Sequence, residues 1–83
     1  MRGLQNKTVI VTGGGGGIGG ATCRRFGEAG SRVAVFDINA ESAAKTAADI
    51  TQAGGVAQAF RCDITDHEGV KAAVAAAEAA LGP

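Results

Sequence analysis

Five consecutive glycines, Gly13 to Gly17, stand directly behind the β-branched run "KTVIVT" (Lys7 to Thr12), and only Ile18 separates them from Gly19-Gly20. Flexible glycine linkers join domains and are flanked by polar sequence. Here both flanks are periodic. The preceding run is apolar and long enough for a strand buried on both faces. After the run, Ile18, Ala21, Thr22, Phe26 and Ala29 recur at three- and four-residue spacing, the apolar stripe of a helix, with Arg24, Arg25 and Glu28 largely off it. A glycine run enclosed in this way reads as the turn between a strand and a helix, and the rest of the chain must fold around it.

The pattern continues in the same alternation. Gly30 terminates the first helix. "RVAVFD" (Arg32 to Asp37) is a second apolar strand that ends in a carboxylate. Asn39 is placed to cap a helix through "AESAAKTAADITQA", with Ala43, Ala47 and Ile50 facing inward and Gly54-Gly55 ending it. "VAQAFRCD" (Val56 to Asp63) is a third strand. "TDHE" matches a capping box, with Thr65 at the cap and Glu68 three residues later. Val70, Ala73, Val74, Ala77 and Leu81 form the stripe of the last helix, which Gly82-Pro83 halts. Strands alternating with helices over short connections specify parallel pairing and right-handed crossovers. The expected fold is α/β and Rossmann-type: the N-terminal β-α-β-α-β-α half of a doubly wound parallel sheet, with strand order 3-2-1. In the complete fold the first strand is central, and no element is left here to pair with its other edge.

Size and charge narrow the partners. At 83 residues the chain is one domain at most, or a piece of one. Its core is built largely of small residues, with three Phe and no Trp or Tyr, so modest stability is expected. Eight basic side chains balance eight acidic ones, which argues against a nucleic-acid or anionic-membrane partner. No apolar run approaches the ~20 residues of a membrane span, and "MRGLQNKTVIV" lacks the pattern of a secretory signal. Cys23 and Cys62 lie far apart and outside metal-ligand spacing. They read as free thiols of a reducing cytosol, with a disulfide as the alternative. The expectation is a cytoplasmic protein.

The glycine turn suits an anion. The first N–H groups of a helix lack intrahelical partners, and the helix dipole adds partial positive charge there. A pyrophosphate can use both where no Cβ holds it off. In that reading Gly13 makes the turn, Gly17 allows close backbone approach, and Gly19 lets the helix pack against the strand. Gly14, Gly15 and Gly16 read as permissive fillers, with Gly15 and Gly16 still part of the binding loop. Asp37 lies 18 residues beyond Gly19, near the ~20-residue offset of a carboxylate that holds ribose hydroxyls. The alternative for Asp37 is an exposed strand-end turn residue.

Thr12-Gly13-x-x-x-Gly17-x-Gly19 resembles the cofactor loop of the short-chain dehydrogenase/reductase family, and "CDITD" (Cys62 to Asp66) resembles a second hallmark of it. The resemblance runs from "LQNKTVIVTG" to "AALGP" and implies an NAD-dependent oxidoreductase acting on CH-OH groups of a small molecule. It implies cofactor contacts at Thr12, Gly13, Gly15, Gly16, Gly17, Ile18, Gly19, Asp37, Asp63 and Ile64. Thr12 would steady the turn by hydrogen bonding, Asp37 would hold the adenosine ribose, and Asp63 with Ile64 would meet the adenine. "TGGGGGIGGATCRRF" is similar to dehydrogenases that oxidise alicyclic 2-hydroxyacyl-CoA thioesters. The family's Asn-Ala-Gly and Tyr-x-x-x-Lys motifs follow its fourth strand, and this sequence has no tyrosine. No catalytic residue can therefore be assigned, and residues 1–83 read as the N-terminal part of one NAD-binding domain, truncated before strand four and inactive alone. Family members are commonly homo-tetramers. Two other readings stay open: a non-catalytic nucleotide-binding module complete at this length, and an S-adenosylmethionine-binding fold. A phosphate-binding NTPase is excluded, because no Gly-Lys-Ser/Thr follows the loop.

Overall fold

A computed structural model describes residues 5–83. Strands β1 (Thr8–Thr12), β2 (Arg32–Asp37) and β3 (Val56–Arg61) form one parallel sheet in the order β1-β2-β3, the expected 3-2-1 arrangement. Helices α1 (Gly17–Glu28), α2 (Ala40–Gln52) and α3 (His67–Leu81) alternate with them. The register aligns Thr12 with Phe36 and Phe36 with Phe60, so the three strands end abreast. Everything that follows each strand is therefore delivered to one end of the sheet.

The core divides by strand alternation. Val33 and Val35 pack with Cys23, Ala43, Ala47 and Ile50 under α1 and α2. Ala34 and Phe36 point the other way, to Cys62, Ala73, Ala77 and Leu81 of the α3 side. Phe36 and Phe60 meet edge to face at 5.6 Å. The strand buried on both faces is β2, not β1 as the sequence suggested. β1 pairs along one edge only, and α3 packs chiefly over β3 and β2, which leaves Ile10 37% exposed. β3 ends at Arg61 rather than Asp63, although the Cys62 N–H still donates to the Asp37 carbonyl at 2.9 Å.

α1 is turned differently from its expected stripe. Ile18 is 88% exposed and Ala21 is exposed; the buried residues are Gly20 and Cys23. A Cβ at Gly27 would come within 2.8 Å of Ile50 Cγ2. The helix lies so close to α2 and the sheet that only small residues fit the seam, and the bulkier apolar ones are left at its margin or outside. α2 follows expectation: Ala43, Ala47 and Ile50 are buried, Thr46 joins them, and Asn39 Oδ1 accepts from the Ser42 N–H at 3.1 Å. Cys23 and Cys62 are both free thiols, and they belong to clusters on opposite faces of the sheet. No helix of the described residues is long and apolar enough to cross a membrane.

The cap of α3 is Asp66, one residue beyond the expected Thr65. Asp66 Oδ1 accepts from the Gly69 N–H at 3.1 Å, while the Thr65 hydroxyl is committed backwards to Asp63 at 2.7 Å. Asp66→Ala is expected to lower unfolding stability by about 1 kcal/mol, and Asp66→Asn, which keeps an acceptor, by only a few tenths. Urea denaturation distinguishes them; equal losses would rule out the cap.

Candidate functional site

The β1–α1 turn is pinned across the sheet to β2. The Gly14 N–H donates to the Phe36 carbonyl at 3.1 Å, and the Gly15 N–H donates to Asp37 Oδ2 at 2.9 Å. These bonds hold the turn in the role expected of Thr12, whose hydroxyl makes no hydrogen bond among the described residues. Gly13 and Gly17 have φ of +67° and +51°, conformations that favour glycine. Nothing lies within 4 Å of a Cβ built on Gly13, Gly16 or Gly17, so the backbone there is open to approach.

Gly14 and Gly15 are not fillers. A Cβ on Gly14 would sit 2.8 Å from Cys23 Sγ and 2.9 Å from Val35 Cγ1. One on Gly15 would sit 2.7 Å from both Asp37 Oδ2 and Ser42 Cβ. They are spatially required because the turn is pressed onto α1, β2 and α2. Gly16, extended at φ −156° with free space around it, is the one filler of the three. At Gly19 a Cβ would collide with the Gly13 carbonyl at the end of β1, in keeping with its expected role in close packing.

α1 begins without any side-chain cap and without an acidic residue in its first turn. α2 and α3, in contrast, are capped by Asn39 and Asp66 and carry Glu41 and Glu68 in their first turns. The first N–H groups of α1 and the positive end of its dipole are thus uncompensated by any carboxylate of its own. A sequence reader has the signal available: one helix start of three lacks Asp, Asn, Ser, Thr and Glu.

Two carboxylates flank the turn. Asp37 is half-buried, with Oδ2 on Gly15 and Oδ1 accepting from the Asn39 N–H at 2.9 Å. Each oxygen keeps acceptor capacity, and the pair of N–H donors sets the carboxylate's orientation. Asp63 Oδ1 accepts from both the hydroxyl and the N–H of Thr65, at 2.7 and 2.9 Å. The hydroxyl bond first, then the backbone bond, hold its carboxyl below the ordinary 3.8, and the positive charge of Arg61 acts in the same direction. The turn is strengthened by the ionised form above that ordinary value and loses this support as pH falls through the lower folded-state value.

Gly13, Asp37, Ile38, Cys62, Asp63 and Ile64 line a cleft of about 190 Å³ between these carboxylates. Ile38 and Ile64 are 56% and 62% exposed at its edge, and Ile18 is exposed at the start of α1. Ile38 and Cys62 join the lining beyond the residues that the glycine turn and the family resemblance imply. Both adjoin strand-end carboxylates in sequence, which is the signal for them. A larger hollow of about 300 Å³ lies at the other end of the strands, beside Gly30, Ser31 and Val56. Size and chemistry disagree here, and chemistry decides: ligands of open α/β sheets bind beyond the carboxyl ends of the strands. Open N–H groups, a carboxylate with acceptor capacity to spare and an apolar-edged cleft can take an anion, a sugar and a flat ring in series. Cys23 has no part in this, since burial pushes its thiol up, away from the reactive thiolate.

Residues 7–83 match the family model described as short chain dehydrogenase. The chain belongs to the short chain dehydrogenase family. It is 50% identical over 82 residues to a 2,5-dichloro-2,5-cyclohexadiene-1,4-diol dehydrogenase of Sphingobium indicum, covering 99% of this chain and 32% of that protein. It is 43% identical over 79 residues to a 7alpha-hydroxysteroid dehydrogenase of Escherichia coli, covering 95% and 31%. The crystal structure of an Escherichia coli hydroxysteroid dehydrogenase superposes with a TM-score of 0.92 at 43% identity, covering 95% of this chain and 34% of that one. A D-mannonate oxidoreductase structure from Haemophilus influenza, described as putative and holding NAD, gives 0.91 at 32% identity, covering 95% and 28%. The chain spans about a third of the length of the curated relatives named here. The short chain dehydrogenase family and the Rossmann-type half sheet are thus as the glycine turn and strand order implied.

Proposed function

We propose that this chain is the NAD-binding N-terminal part of a dehydrogenase that interconverts a secondary alcohol and a ketone. The observation that carries the reading is the pairing of an uncapped α1 start with Asp37, whose two oxygens are oriented by Gly15 and Asn39. The pyrophosphate lies over Gly13, Gly15, Gly16, Gly17, Ile18 and Gly19, beside Thr12. Asp37 accepts from the adenosine ribose, and Asp63 and Ile64 meet the adenine. The open space above Gly13, Gly16 and Gly17 fits this, because a side chain there would fill the cradle. NAD is preferred over NADP: Asp37 repels a 2′-phosphate, and Gly16 and Ile38 supply no compensating cation.

When bound, the dinucleotide supplies hydride transfer; these residues bind and orient its adenosine half. The proton-transfer groups come from polypeptide outside these residues. The relatives named for a cyclohexadiene diol and for a hydroxysteroid support a ring secondary alcohol as substrate, with an alicyclic 2-hydroxyacyl-CoA thioester as one member of that class. The working form is a cytoplasmic homo-oligomer, a tetramer by family habit.

Calorimetric titration of the intact polypeptide with NAD, NADP and S-adenosylmethionine tests the reading. NAD is expected to bind at least tenfold more tightly than NADP, with no heat from S-adenosylmethionine. Absence of NAD binding would sink it, and NAD binding without turnover of any ring alcohol would favour the non-catalytic module.

A further inference from the structure

At the end of the sheet opposite the glycine turn, Arg32 opens β2 on the face it shares with Ala34, Phe36 and α3. Its Nη2 donates to the Asn6 carbonyl at 2.7 Å. A Cβ built on Gly82 would lie 3.5 Å from Nη2 and 3.7 Å from Cζ, so the chain leaves α3 directly beside the guanidinium. The Thr8 hydroxyl holds the neighbouring Leu81 carbonyl at 3.2 Å. α3 has no basic residue in its last turn, and Arg32 supplies from β2 the cation that suits a helix C-terminus. One donor of this clasp is unused: Nε is buried and makes no hydrogen bond among the described residues. No carboxylate of the described residues pairs with Arg32, and Met1 to Leu4 include no Asp or Glu. We propose that Arg32 is the docking point for a carboxylate side chain of the polypeptide that follows Pro83, joining this unit to the remainder of the protein at the end of the sheet away from the cofactor.

The inference rests on the reading of this chain as the N-terminal part of a longer protein, like the curated relatives of which it covers 32% and 31%. A buried N–H without an acceptor has lost its hydration with nothing in return, and the loss is larger on a charged group. In a guanidinium, Nε–H and one N–H of Nη2 point the same way, the edge that a carboxylate takes with both oxygens. Asn6 occupies one of the two N–H groups of Nη2, so a second remains. A backbone carbonyl would satisfy Nε and leave the positive charge without a counter-ion, whereas a carboxylate answers both needs. The place of Gly82 favours the same polypeptide over a second copy, because the residues after Pro83 start beside the guanidinium.

A crystal structure of the intact polypeptide is the first test. A carboxylate oxygen from a residue after Pro83 is expected ~3 Å from Arg32 Nε. Water, a backbone carbonyl or a carboxylate of a second copy at that place overturns the inference. Urea unfolding of the intact polypeptide then measures the pair. Arg32→Gln, and the variant that turns the paired acid into its amide, are each expected to shift the unfolding equilibrium by about tenfold or more, and the double variant by little more than either alone. Thr8→Val removes only the adjacent bond to Leu81 and should add its own effect to that of the amide variant. Effects of Arg32→Gln and the amide variant that simply add would show no coupling and overturn the inference. NAD titration separates it from the cofactor assignment: Arg32→Gln is expected to bind NAD within about twofold of wild type, as a site far from the glycine turn should. Failure of wild type to bind NAD removes the cofactor assignment and leaves the Arg32 pair to be decided by the crystal structure and the unfolding cycle.

Discussion

Asp37→Ala combined with Ile38→Arg is expected to raise the NADP-to-NAD ratio of kcat/KM by two to three orders of magnitude in the proposed dehydrogenase. Two unit charges ~4 Å apart at an effective dielectric of ~20 repel by about 4 kcal/mol before screening, which corresponds to about a thousandfold. The double change removes that repulsion and supplies a cation. Asp37→Ala alone should do less, for a reason visible only in three dimensions. Its carboxylate also receives the N–H groups of Gly15 and Asn39, so the truncation loosens the turn and the start of α2 together. The single variant is therefore expected to weaken both cofactors while the double variant recovers NADP. Steady-state kinetics with each cofactor checks this, and an unchanged ratio in the double variant would remove Asp37 from the ribose site.

Alanine substitutions along the glycine run should separate sharply. Gly16→Ala places a methyl in open space on extended backbone and is expected to leave stability unchanged, or to raise it by about 0.4–1 kcal/mol through the unfolded chain, while weakening NAD binding because the methyl enters the cradle. Gly14→Ala drives a methyl against Cys23 Sγ and Val35 Cγ1 and is expected to cost about 1–3 kcal/mol. Adding Cys23→Ala should return part of that loss, since the sulfur is one of the two obstacles. Gly19→Ala should be the worst of the set, because its methyl meets the Gly13 carbonyl, which cannot move without opening the turn. That variant is expected to lose NAD binding altogether. Denaturation midpoints and NAD titrations of the four variants decide the matter. Uniform mild effects along the run would mean a loose linker, as its composition alone suggests.

The order of elements was legible in the sequence because it rests on local signals: two- and three-to-four-residue periodicity, the Asn39 cap, and glycines at helix ends. So was the position of Asp37 at the end of β2, where the apolar run of "RVAVFD" stops in a carboxylate. Local chemistry misled at Thr65, where the motif matched a cap but the hydroxyl found Asp63 before the helix did. The seam of α1 was also hidden, since Gly20 and Gly27 contribute nothing to an apolar stripe yet set how near Thr46 and Ile50 can come. Gly14 and Gly15 belong to the same class. Their necessity comes from Cys23, Val35, Asp37 and Ser42, which the fold brings in from other elements.

What residue order determined, then, was the alternation of strand and helix and the strand end at which a carboxylate stands, because backbone periodicity and capping act over a few residues. How little of β1 is covered, which side of α1 is buried and which glycines have no room for a methyl were decided by tertiary packing. Those properties depend on distances between segments far apart in the chain, and close packing leaves gaps smaller than one carbon atom.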